Sequence, residues 1–197
     1  MNLLVSNNLE NQIEGSFDQC IRTLTDAKKL TKKIIKALNI IQPVFENNGK
    51  VIAFGNGGSA ADAQHFAAEF VGRFKKERRS LPAIAFTTDS SIITSIGNDY
   101  NFNKIFERQC ESLVDKNDVV VAISTSGNSE NVLKGVKMAK KRGAKIVGLS
   151  GKGGGKLAKI VDIAILVPSN STPRIQEVHR LILHIICDII DEKISKT

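Results

Sequence analysis

Hydrophobic positions along the chain follow two alternating rhythms. From about residue 50 onward, short apolar runs rich in Val, Ile and Ala alternate with longer stretches whose apolar residues recur at helical spacing. "KVIAF" (50–54), "PAIAFTT" (82–88), "DVVVAIS" (118–124), "AKIVGLS" (144–150) and "DIAILVP" (162–168) read as five strands. Helices are expected over 59–74, 89–99, 103–114 and 130–142. A final helix opens at Pro173 behind Thr172 as its N-cap and runs to about residue 193. Residues 1–48 carry spaced apolar positions without a β alternation, which predicts two helices, broken near residues 30–31 and closed by Gly49.

Strands that are apolar throughout belong in a parallel sheet covered on both faces. With right-handed crossovers, the pattern predicts an α/β protein, a three-layer α/β/α sandwich around a five-stranded parallel sheet. One domain accounts for residues 1–197, with helices over 1–48 and the α/β core with its C-terminal helix over 49–197. Ligands of such sheets bind beyond the carboxyl ends of the strands, the edge where "GNGGS" and "STSGNS" both fall.

Composition narrows the classes. Hydrophobic residues are 42% and charged residues 24%, ordinary for a globular protein. The net charge of +8 raises a nucleic-acid reading, but one tyrosine and no tryptophan leave few bases a stacking partner. The basic clusters "KKLTKK", "FKKERR" and "KKRGAK" sit at expected helix ends or polar faces, which makes them solvated surface. No apolar run approaches the roughly 20 residues of a membrane span, and "MNLLVSNNLENQ" turns polar too early for a signal peptide. Cys20, Cys110 and Cys187 are widely spaced and odd in number, which fits a reducing cytoplasm.

Two loops carry candidate chemistry. "STSGNS" (124–129) offers four hydroxyls, a glycine and a helix N-terminus, a phosphate-binding combination richer than a turn requires. "GNGGSAA" places Gly55, Gly57 and Ala60 at dinucleotide-fold spacing, yet Asp89 lies late for the ribose-binding acid. No appreciable NAD(P) binding is therefore expected. "GKGGG" (151–155) reads as a flexible turn, with Lys152 able to add a positive charge near a ligand. The three histidines are His65, His179 and His184, each by itself an ordinary structural residue. His65 and Glu69 stand four apart and share one helix face, the spacing of a metal chelate or of an acid–base pair.

"GNGGSAADAQHFAAEFVGRF" (55–74), "GNDYNF" (97–102), "ISTSGNS" (123–129) and "RIQEVHRLILH" (174–184) together resemble the phosphoheptose isomerases of the sugar-isomerase (SIS) fold, a flavodoxin-like arrangement. The resemblance runs from about Gly49 to the C-terminus. It implies conversion of sedoheptulose 7-phosphate into a glycero-manno-heptose 7-phosphate, a homotetramer with active sites at subunit interfaces, and a zinc ion in some members. Carried onto this chain, it implies that Ser59, Ser124, Thr125, Ser126 and Ser129 hold the phosphate. Asn56, Gly57, Gly58, Asn98 and Asp99 would line the sugar site. Glu69 would be the base and His184 the acid, while His65, Glu69, Gln176 and His184 would form the zinc set. Non-catalytic relatives that bind the replication initiator DnaA share "AQHFAA", "ERRSLPAIA" and "CDIID" but replace the glutamate and the second helix histidine. Here Glu69, His184, Gly58 and Ser126 stand in the isomerase pattern.

Overall fold

In the computed structural model, which describes residues 2–196, all five strands are parallel and lie in the order β2-β1-β3-β4-β5. They are β1 (Val51–Gly55), β2 (Ala83–Ala85), β3 (Val119–Ser124), β4 (Lys145–Ser150) and β5 (Ile163–Leu166). The helices are α1 (Asn2–Ala27), α2 (Thr31–Ile41), α3 (Gly58–Val71), α4 (Ser90–Asp99), α5 (Ile105–Leu113), α6 (Glu130–Lys141) and α7 (Thr172–Ile194). Every residue of β1 and β3 is buried, so the pleat feeds two separate cores. Val51, Ala53, Val119, Val121 and Ile123 pack toward α2, α3 and α7. Ile52, Phe54, Val120 and Ala122 face α5 and α6, where Phe54 stacks on Phe106 with ring centroids 4.7 Å apart. Burying each such large side chain contributes about 1.5–3 kcal/mol.

The expected three-layer sandwich is the observed one, with several boundaries moved. The second helix does not reach Gly49. Pro43 lacks an N–H for the helical ladder, and residues 42–45 tighten into a 3₁₀ turn. β2 is three residues long rather than seven, because it is an edge strand paired only with β1. The N-cap of α7 is Ser171, in extended conformation, one residue before the expected Thr172. At α4 the cap is Asp89, whose carboxylate accepts the N–H of Ile92 at 2.9 Å.

The "FKKERR" cluster is only partly solvated surface. Lys75 and Lys76 pair with Asp188 and Glu192 on α7, but Arg78 is buried and pairs with buried Asp191 at 2.7 Å. Burial alone would raise the Asp191 pKa. The N–H groups of Lys76 and Lys75, together with Arg78, outweigh that effect and hold it below its ordinary value.

Candidate functional site

The first strand ends in Gly55, and the chain turns into α3 within two residues. Gly57 takes φ +55°, the left-handed region that glycine enters without steric cost. Gly58 then opens α3 beside α7, where a Cβ would stand 2.4 Å from the Gln176 Nε2. The absence of that Cβ lets the Gln176 carboxamide lie against the loop. Ser59 is buried in the first turn of α3.

The second loop leaves β3 at Ser124 and enters α6. Ser129 is the N-cap of α6, yet its hydroxyl makes no capping bond to the helix. It lies instead 3.2 Å from the Ser124 hydroxyl. The Ser126 hydroxyl accepts the N–H of Asn128 at 3.2 Å. The loop thus gathers hydroxyls at a helix N-terminus, where the dipole favours an anion.

"GKGGG" is more than a flexible turn. Gly151 donates to the Thr125 carbonyl, Leu157 to the Gly127 carbonyl, and the Ser150 hydroxyl to the Ser124 carbonyl at 2.7 Å. The Asn128 carboxamide bridges the two loops, donating to the Ser126 carbonyl and accepting from the N–H of Lys156. This segment is a buttress that fixes the serine loop from behind. A second brace joins the glycine and serine loops: Asn56 and Asn131 exchange carboxamide hydrogen bonds of 2.9 and 2.8 Å. Asn131 is buried and its oxygen also accepts the N–H of Val132. Sequence reasoning passed over Asn131, because nothing in "NSENV" separates a buried brace from an ordinary helix-start asparagine.

Along α3 and α7 the side chains meet in rungs. Gly58 faces Gln176, and Asp62 accepts both Arg180 Nε and Nη2 at 2.9 and 2.6 Å. His65 Nε2 then lies 2.9 Å from His184 Nε2 and 3.1 Å from Glu69 Oε1. Gly58, Asp62, Gln176, Arg180 and His184 line one open cavity of about 510 Å³. Neither Asp62 nor Arg180 was among the expected site residues; an Asp three before His65 on the same helix was the available signal.

Three nitrogen and oxygen atoms, one each from His65, Glu69 and His184, lie within 4.8 Å of one another. Two imidazole lone pairs and a carboxylate oxygen aimed at one point repel unless a proton or cation sits among them, so this donor set fits zinc. Burial holds the His184 pKa below its ordinary value, the neighbouring His65 and Arg180 add to that, and Glu69 and Asp62 oppose it. A lowered pKa favours the neutral ring, the form that ligates a metal or donates one N–H.

Two expected residues lie elsewhere. Asn98 and Asp99 are exposed at the end of α4 and bond to each other at 2.9 Å, and Asp99 borders a separate cavity of about 390 Å³ with Tyr100 and Arg108. His179, on α7, is fully buried; its Nε2 meets the Ser150 carbonyl at 3.3 Å, and its Nδ1 has no partner among the described residues.

A parallel sheet with a serine loop and a glycine loop at its carboxyl edge is the arrangement of an α/β ligand-binding domain, and residues 17–151 match the SIS domain family. The chain is 50% identical over 185 residues to the phosphoheptose isomerase of Helicobacter hepaticus, covering 94% of each. It is 57% identical to that of Nitratiruptor sp. over 84% of this chain and 88% of the relative. The solved phosphoheptose isomerase of Neisseria gonorrhoeae superposes with a TM-score of 0.89 at 44% identity, over 93% of this chain and 99% of that one. The chain therefore belongs to the phosphoheptose isomerase family of SIS-domain proteins, and it is an isomerase. The DnaA-binding alternative finds no support among these relatives.

Proposed function

We propose that the protein interconverts sedoheptulose 7-phosphate and D-glycero-D-manno-heptose 7-phosphate through an enediol, with Glu69 as base and His184 as acid. The observation that carries this reading is the convergence of His65, Glu69 and His184 from two helices onto one point. The reaction moves a proton between C1 and C2 while another reaches the carbonyl oxygen. A carboxylate base and an imidazole acid, each worth roughly 10²–10⁴-fold, meet those two needs. Hydroxyls of Ser59, Ser124, Thr125, Ser126 and Ser129, with the α6 N-terminus, bind the phosphate. Asn56, braced by Asn131, offers its remaining donor and acceptor capacity to the sugar hydroxyls.

His65, Glu69 and His184, with Gln176 from the same cavity, would hold zinc. Bound there, zinc would supply Lewis acidity toward the substrate oxygens. Ligation would engage the Glu69 carboxylate that the proton transfer also needs, so the base would require one carboxylate oxygen to stay free of the ion.

We infer assembly as a homotetramer, with sites shared between subunits, a reading that two features support. Ser59 and Glu69 are ten residues apart on α3, about 15 Å of helical rise, longer than an extended seven-carbon phosphate. Leu9, Ile13, Phe17 and Ile21 form an exposed apolar stripe along α1. Asn98 and Asp99 would then reach the sugar across an interface. Among the described residues no helix is long and apolar enough to cross a membrane, and the free cysteines agree with a cytoplasmic setting. Turnover of sedoheptulose 7-phosphate, beside five- and six-carbon ketose phosphates, tests the reading. Faster turnover of a shorter ketose would overturn the substrate, and no turnover at all would overturn the reaction.

A further inference from the structure

Helix α3 ends at Val71 without a left-handed closing residue, since Gly72 takes φ −77° and ψ −111°. Its last carbonyls are satisfied by the chain folding back over residues 78–81. Leu81 donates to the Phe70 carbonyl and the Ser80 hydroxyl to that of Val71. Arg78 takes the larger share. Its Nη2 donates to the Glu69 carbonyl at 2.8 Å, and its Nη1 to those of Phe70, Gly72 and Arg79 at 3.0, 3.2 and 2.9 Å.

The third arm of the guanidinium crosses to α7, where Nε donates to Asp191 Oδ1 at 2.7 Å. The two side chains are 2% and 1% exposed. Asp191 Oδ2 accepts the N–H groups of Lys75 and Lys76 at 2.8 and 2.6 Å. One buried pair therefore grips the main chain of Glu69 and, at the other end, the face of α7 two turns beyond His184. Apolar residues of similar volume often hold a fold as well as a buried ion pair does. What a planar guanidinium adds is direction: five donors in a rigid fork fix where each partner lies.

We propose that Arg78 and Asp191 are positioning residues that set the distance between the His65–Glu69 pair and His184, and through it the rate of proton transfer. This rests on the isomerase reading above. A further polar tie between the two helices, Arg180 to Asp62, has its arginine 44% exposed and touches no main chain of α3. A misplacement of about 1 Å in a reacting constellation costs on the order of 10²-fold in rate.

Arg78→Lys keeps the charge but loses the fork, and Asp191→Asn keeps the shape but loses the charge. Each is expected to lower kcat on sedoheptulose 7-phosphate by about ten-fold or more, with KM within about two-fold. Asp118→Asn is the control for stability alone. Asp118 is equally buried and accepts the N–H groups of Lys50 and Asp115, but it lies at the opposite, amino edge of the sheet. That variant should melt earlier and keep its kcat. A crystal structure of Arg78→Lys should show the His65 and His184 Nε2 atoms beyond hydrogen-bond reach. Wild-type kcat in both clamp variants, a loss no greater than in Asp118→Asn, or an unchanged Nε2 separation would overturn the proposal. Should the wild type turn over no ketose phosphate, the isomerase reading falls, and the Nε2 separation still decides the clamp.

Discussion

His65 Nε2 and His184 Nε2 lie 2.9 Å apart although 119 residues separate them in the chain. The parallel course of α3 and α7 along one face of the sheet makes that meeting possible, and Glu69 completes it at 3.1 Å from His65. At this separation an N–H of one ring donates to the nitrogen of the other, which fixes complementary tautomers.

From this follows the first prediction. Glu69→Gln keeps size and hydrogen bonding while removing the proposed base, and His184→Asn retains a polar group without the imidazole. Each should lower kcat by about two orders of magnitude or more while folding and assembly persist. Steady-state assays with sedoheptulose 7-phosphate decide it. Wild-type rates in both variants would mean the proton is moved by other groups.

Ser126→Ala probes the proposed phosphate-binding role of the serine loop. Removing one hydroxyl hydrogen bond to a charged group costs about 1.5–3 kcal/mol, or roughly ten- to a hundred-fold in kcat/KM. The variant also frees the N–H of Asn128, which the exposed loop lets water satisfy. Unchanged KM and kcat would reduce "STSGNS" to a turn.

Zinc should be found by elemental analysis of protein purified without chelator, and His65→Ala should lose it. Removing His65 takes away one of the three converging imidazole and carboxylate ligand atoms and leaves the site incomplete. Full activity in metal-free protein would leave zinc without a part in the chemistry.

The architecture was legible because each strand is a short apolar run flanked by glycine or polar loops, and both ligand loops follow strands directly. The helical spacing of His65 and Glu69 announced a shared face, and the resemblance singled out His184. What stayed hidden depends on contacts distant in sequence. Arg78 looked like one more surface cation in "FKKERR", since its burial is set by Asp191, 113 residues away. Asn131 and the glycine loop carry no local sign of bracing, because their partners are side chains and carbonyls of other loops. Pro43 is the reason that α2 stops early, and the expected end at Gly49 took no account of it.

His179 should make stability fall in mild acid. Burial pushes its pKa down to about 4, from about 6.5 in the unfolded chain. The native protein keeps this ring neutral while the unfolded chain takes up a proton. Stability from this group is therefore complete above pH 6.5 and declines as pH falls toward 4, by roughly 3 kcal/mol in all. Urea midpoints across that range should fall more steeply for wild type than for His179→Leu, which cannot titrate. Parallel slopes would show that the buried ring protonates without cost.

Two glycine substitutions should part company, and the contrast tests which loop contacts matter. At Gly127, φ is +64° and an added Cβ would stand 2.0 Å from the main-chain oxygen of Gly154. Left-handed conformation alone costs a non-glycine residue about 1–2 kcal/mol, and the opposing group belongs to the buttress and cannot swing aside. Gly127→Ala should therefore destabilise by at least about 2 kcal/mol and raise KM, since the serine loop must shift. At Gly58 the obstacle is the tip of a flexible side chain, the Gln176 Nε2 at 2.4 Å, and alanine is a better helix former by about 1 kcal/mol. Gly58→Ala should fold about as stably as wild type but displace the Gln176 carboxamide from its place beside the loop. Denaturation midpoints separate the two variants, and zinc competition with a chromophoric chelator then reads Gln176 directly. Weaker zinc binding in Gly58→Ala, with stability intact, would identify Gln176 as a ligand. Unchanged affinity would leave the ion to His65, Glu69 and His184.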